Sequence, residues 1–73
     1  MVTVYTKSAC VQCSATIRKL DSLGVAYELV HLDSNPEALA LVKEQYDALQ
    51  APVVVTPDTH WSGFQPDKLH ELV

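Results

Sequence analysis

The two cysteines of this 73-residue chain, Cys10 and Cys13, stand three positions apart, and that spacing dictates how the fold must be held. A disulfide across so short a loop removes little freedom from the unfolded chain, roughly 2 kcal/mol before strain, where a long loop gives more than twice that. The pair is a poor staple. A chain of this size sits near the lower limit for a core that holds without staples, so residues 1–73 are expected to pack as one domain. The composition permits it: 48% of the residues are hydrophobic and 19% charged, too apolar for a disordered chain and too mixed for a fibrous one. With no second cysteine pair the pattern is unlike a secreted disulfide scaffold and points to a reducing compartment.

Apolar periodicity supplies the elements. Val2-Thr3-Val4-Tyr5-Thr6 alternates and is rich in β-branched and aromatic side chains, which predicts a strand. From Val11 to Leu23 the residues Cys13, Ile17 and Leu20 fall at spacings of four and three on one helical face, and Gly24 stands where a helix C-terminus wants a left-handed residue. A second strand is expected over Ala26 to Leu32, and a short crossover helix between two strands implies a right-handed parallel unit. Asp33-Ser34-Asn35-Pro36-Glu37 combines capping side chains with a proline for the first turn, so a second helix begins there, with Leu39, Val42, Tyr46 and Leu49 as its buried stripe. Val53-Val54-Val55 is too apolar for a half-exposed strand and belongs inside the sheet. Thr56-Pro57-Asp58-Thr59 has turn chemistry, His60-Trp61-Ser62 a short returning strand, and Pro66 opens a last helix carrying Leu69 and Leu72. The order is βαβαββα, an α/β chain.

Nine acidic against five basic residues give a formal charge of −4, which disfavours nucleic acid and anionic membrane as partners. Met1 to Thr6 has no charged stretch leading into an apolar signal core, and no apolar run approaches the roughly 20 residues of a membrane helix. A soluble, cytoplasmic protein working as a monomer is expected.

Cys10-Val11-Gln12-Cys13 lies where the first strand hands over to the first helix. Disulfide exchange needs a thiolate, and a sulfur at a helix N-terminus faces unpaired N–H groups and the positive end of the macrodipole. That assigns Cys10 as nucleophile. Cys13, one turn inward on the apolar stripe, is placed to resolve a mixed disulfide, and the oxidised product is the disulfide Cys10–Cys13. Two other uses of the cysteines compete: small core hydrophobes, or half of a zinc site, for which His31, His60 and His70 lack the close pairing of a finger. No metal ligand is assigned. Pro52 is compatible with plain strand entry or with a cis bond. Lys7 is either a solvated surface charge or a stabiliser of the thiolate. His60, Trp61 and Phe64 suit plain core and hairpin packing, as large aromatics usually do.

These residues resemble the NrdH-redoxins, glutaredoxin-like electron donors of class Ib ribonucleotide reductase. The likeness rests on Val4-Tyr5-Thr6 leading to Cys10-Val11-Gln12-Cys13-Ser14-Ala15-Thr16, on Gln50-Ala51-Pro52-Val53-Val54, and on Trp61-Ser62-Gly63-Phe64 followed by Pro66-Asp67. Only the last is specific, the others being widespread among redoxins. The resemblance implies a thioredoxin fold, with a four-stranded mixed sheet flanked by three helices and a cis bond before Pro52. It also implies partner contacts at Lys7, Val11, Gln12, Ala51, Pro52, Trp61, Ser62, Gly63 and Phe64. The implied partners are the ribonucleotide reductase large subunit and thioredoxin reductase, with electrons from NADPH and no cofactor bound to the chain itself. Gln65 departs from the resemblance, standing where many such proteins carry a basic residue. The rival readings are a glutathione-dependent glutaredoxin and a metal-binding or redox-sensing module.

Overall fold

Alternation along β1 (Val2–Thr6) sends Val2 and Val4 to one face of a sheet and Tyr5 to the other, and each face is then covered by helices. The computed structural model describes residues 1–46 and 50–73. Among them the chain forms α1 (Val11–Leu23), β2 (Tyr27–His31), α2 (Pro36–Gln45), β3 (Val53–Val55), β4 (His60–Ser62) and α3 (Pro66–His70) after β1. The four strands lie in the order β2-β1-β3-β4. β1 runs parallel to β2 and antiparallel to β3, and β3 is antiparallel to β4, so the sheet is mixed.

The pairing Val4↔Val54↔Trp61 joins Val2, Leu20 of α1 and Leu69 of α3 in one core. On the opposite face Tyr5, paired with Val53, packs with Leu32, Ala38, Val42, Ala51 and Cys13. Val4, Val53, Val54, Leu20 and Leu69 are wholly buried. This is the expected βαβαββα order with three helices and a four-stranded sheet, a thioredoxin fold.

Several boundaries fall where the sequence chemistry puts them. Gly24 caps α1 at φ 71°, a left-handed conformation that suits a residue without Cβ, and its N–H reaches the Asp21 carbonyl at 3.2 Å. The Asn35 side chain accepts the Ala38 N–H at 3.1 Å, with Pro36 in the first turn.

Other expectations are corrected. β2 is shorter than Ala26 to Leu32, because Leu32 turns down into the core as the first residue of a 3-10 turn, Leu32–Ser34. The α1 stripe is Cys13, Thr16 and Leu20, at spacings of three and four. Thr16 is wholly buried and Ile17 only half-buried. In α2 the cap sets a helical phase that turns Ala38 and Val42 inward and leaves Leu39 38% exposed. Tyr46 closes that helix and still packs on the core, its ring 6.4 Å from that of Tyr5, while Leu49 lies outside the described residues. Leu72 falls beyond α3 but packs against the same core as Leu69. No helix among the described residues is long and apolar enough to cross a membrane.

The contrast between Leu69 and Leu39 is testable by thermal denaturation. Truncating a wholly buried leucine costs about 2–5 kcal/mol, so Leu69→Ala is expected to lower the midpoint by about 10 °C or more. Leu39→Ala should shift it by less than about 4 °C, since a surface change is worth about 0.5 kcal/mol. Equal shifts would contradict the phase of α2.

Candidate active site

Leaving β1, the chain makes a three-residue loop, Lys7-Ser8-Ala9, and enters α1 through Cys10. Ala9 has φ 55°, and Cys10 is extended at φ −110°, ψ 107°, the backbone of a helix N-cap. Its sulfur accepts the Cys13 N–H at 3.1 Å, as a serine or aspartate oxygen does at other helix starts. The two cysteines form a disulfide with Cα atoms 5.2 Å apart. They are not equivalent: Cys10 is partly exposed, and Cys13 is 2% exposed within the core. An N–H directed at the outer sulfur favours the thiolate there once the bond is reduced.

Two distant segments close around this turn. The Ala51–Pro52 bond is cis, and it leaves the Ala51 carbonyl oxygen 3.8 Å from the Cys10 sulfur. The resemblance implied that isomer, which the residues alone had left undecided. The Pro52 carbonyl accepts the Gly63 N–H at 2.8 Å, joining the cis-proline segment to the 62–64 loop. From the other side, the Gln12 Oε1 accepts the Phe64 N–H at 3.0 Å. Gly63 is buried at φ 81°, and a Cβ there would stand 3.3 Å from that same Oε1. The left-handed backbone favours glycine here, and a Cβ would press on the Gln12 side chain that holds the Phe64 N–H.

Cys10, Cys13, Gln12, Ala51, Pro52, Gly63 and Phe64 are thus brought together. Val11 is 81% exposed at the start of α1, and Phe64 is 37% exposed. Trp61 is a different case: it is 6% exposed beneath the loop, with the Lys68 ammonium 5.8 Å from its ring centre. It packs in the core with Leu20, Val54 and Leu69 and offers no contact surface of its own. The half-buried Ser62 gives its carbonyl to the Gln65 Nε2 at 2.9 Å, so Gln65 folds back onto the loop. Lys7 is exposed and borders the open depression of about 590 Å³ that contains both cysteines. It also borders a separate cavity of about 310 Å³ between Ala51 and Val42.

Two neighbouring groups have perturbed acidities. Burial pushes the Tyr5 hydroxyl above its ordinary pKa, with smaller contributions from Tyr46 and Glu28. Asp33 is held below the usual carboxylate range, first by hydrogen bonds from Ser8, then by the charges of Lys7 and His31. In the sequence Asp33 carries only a helix-start signal, and Ser8 carries none. Among the described residues, no three His, Cys, Asp or Glu side chains converge on a point where they could hold a metal ion.

The glutaredoxin family pattern matches residues 2–61. The glutaredoxin-like protein NrdH of Escherichia coli K12 is 41% identical over 71 residues, spanning 97% of this chain and 86% of that protein. The chain belongs to the NrdH-redoxins of the glutaredoxin family. The NrdH protein of Lactococcus lactis is 36% identical over 72 residues, covering 99% of both chains. The solved structure of the E. coli NrdH-redoxin superposes with a TM-score of 0.95 at 40% identity, over 99% of this chain and 93% of that one. That protein is described as glutaredoxin-like with a thioredoxin-like activity profile. As an NrdH-redoxin the chain is a thiol–disulfide oxidoreductase, and its Cys10–Cys13 bridge is the redox-active disulfide.

The Gln12 clasp has a direct readout. Gln12→Ala is expected to raise the amide exchange rate at Phe64 about threefold or more, whereas Gln12→Glu, which keeps an acceptor, should stay near wild type. Unchanged exchange in Gln12→Ala would remove the clasp from this account.

Proposed function

We propose that this NrdH-redoxin carries electrons from thioredoxin reductase, and ultimately NADPH, to the disulfide of the class Ib ribonucleotide reductase large subunit. The Cys10 thiolate attacks one sulfur of the target disulfide, forming an S–S bond to it and releasing the other target sulfur as a thiolate. Cys13 then gives up its proton and attacks the Cys10 sulfur, which expels the second target thiolate and leaves Cys10–Cys13 oxidised. The target gains two electrons, the chain loses two, and no bound cofactor takes part. The Ala51 backbone beside the sulfur gives an extended target segment polar groups to pair with. The reading puts the protein in the cytoplasm, acting as a monomer.

The observation that carries the choice of reductant is the state of the 62–64 loop. Both of its inward-facing backbone donors are engaged inside the chain, Gly63 N–H with Pro52 and Phe64 N–H with Gln12. A tripeptide such as glutathione needs an open groove with unengaged polar groups at its charged end. A protein surface needs apolar contact area, which Val11 beside the cysteines and Phe64, tied to the same turn through Gln12, supply. The thioredoxin-like profile of the 40% identical E. coli protein agrees with this preference.

The test is NADPH oxidation in the presence of a disulfide substrate. Thioredoxin reductase is expected to reduce Cys10–Cys13 at least about tenfold faster than glutathione with glutathione reductase. Equal rates would move the chain to the glutathione-dependent class. Cys10→Ser should abolish turnover and Cys13→Ser should accumulate a mixed disulfide on Cys10, both without loss of the fold. Equal loss of first-step reactivity in the two variants would overturn the assignment of roles.

A further inference from the structure

We propose that Asp33 is a positioning residue for the exchange reaction: by holding Ser8 it fixes the loop that delivers the Cys10 sulfur to the N-terminus of α1. The inference rests on Cys10 being the attacking sulfur.

Only Lys7, Ser8 and Ala9 separate β1 from Cys10, and all three are exposed, so core packing does not shape this loop. Yet Ala9 sits at φ 55°, in the left-handed region that an L-residue with a Cβ avoids unless its surroundings impose it. Asp33 imposes it. Its Oδ2 accepts the Ser8 N–H at 2.8 Å and also the Ser8 hydroxyl. The strands dictate the meeting: β1 and β2 run parallel with Thr6 opposite His31, and Ser8 and Asp33 each lie two residues farther on. The 3-10 turn after β2 then presents the carboxylate to the loop.

The Ser8 hydrogen bonds first, and then the charges of Lys7 on the loop and His31 at the end of β2, push the already low pKa of this exposed carboxylate lower still. Released from Asp33, the loop lets Ala9 relax out of the left-handed region, which rotates Cys10 away from its N-cap backbone. The Cys13 N–H, 3.1 Å from the sulfur in the held state, then no longer stabilises the thiolate. Because both Ser8 bonds end on one oxygen, a neutral amide oxygen at the same place can replace it.

The test is the pH profile of iodoacetamide alkylation in the reduced full chain, read separately at Cys10 and Cys13 by mass spectrometry. Asp33→Ala is expected to raise the apparent pKa of Cys10 and slow its alkylation at pH 7 about three- to tenfold. Asp33→Asn should stay within about twofold of wild type, and Ser8→Ala, which keeps the backbone bond, should fall between the two. An unchanged Cys10 profile in Asp33→Ala overturns the proposal, as does an Asp33→Asn profile as impaired as that of Asp33→Ala. Should Asp33→Ala fail to fold, an Ser8→Ala profile equal to wild type overturns it. A wild-type profile in which Cys13 has the lower pKa instead removes the assignment of Cys10 itself, and this inference with it.

Discussion

β1 is hydrogen-bonded on both edges, parallel to β2 and antiparallel to β3, and the placement of every functional group follows from that double pairing. The antiparallel partner begins at Val53, opposite Tyr5, so Pro52 and Ala51 arrive at the end of β1 where Cys10 leaves it. The parallel partner ends at His31, opposite Thr6, so the turn carrying Asp33 arrives at the same end from the other side. β3 in turn pairs with β4 and brings Gly63 to the Pro52 carbonyl. Register brings groups separated by 25, 41 and 52 positions in sequence close together, and the side chains of Asp33, Cys10 and Gln12 complete the contacts.

The chemistry then rests on an asymmetry between two like atoms. Both sulfurs belong to the same helical turn, but the N-cap position gives Cys10 solvent contact and a backbone donor, while the helical stripe draws Cys13 into the core. The proposed attack by Cys10 and resolution by Cys13 use this difference, since a target disulfide can reach the first sulfur and not the second. Gln12, between them, ties the turn to the loop that carries Phe64. The redox motif and the surface beside it therefore hold each other in place.

Much of this is legible in the sequence. Alternation in Val2–Thr6, the triple valine, Gly24 and the Asn35-Pro36 pair each carry a local signal, and each element lies where that signal puts it. Cys10 and Cys13 were legible because their chemistry depends on a local feature, a helix start. What escaped depends on helical phase or on register. Leu39 and Ala38 are neighbours, and only the cap geometry decides which faces the sheet. Thr16 is buried through its place on the α1 face despite its hydroxyl. Trp61 and Phe64 look alike as aromatic flanks of a glycine, but strand alternation buries one and the loop exposes the other. The bonds of Gln12 to Phe64 and of Asp33 to Ser8 have no local signature at all.

The central claim is that backbone geometry makes Cys10, and not Cys13, the thiolate at neutral pH. Titrating the Cβ carbon shifts of both cysteines by NMR in the reduced protein tests it most directly. The account expects Cys10 to titrate below the ordinary thiol value of about 8.5 and the buried Cys13 above it. A Cys13 pKa lower than that of Cys10, or a Cys10 pKa at or above about 8.5, would contradict it.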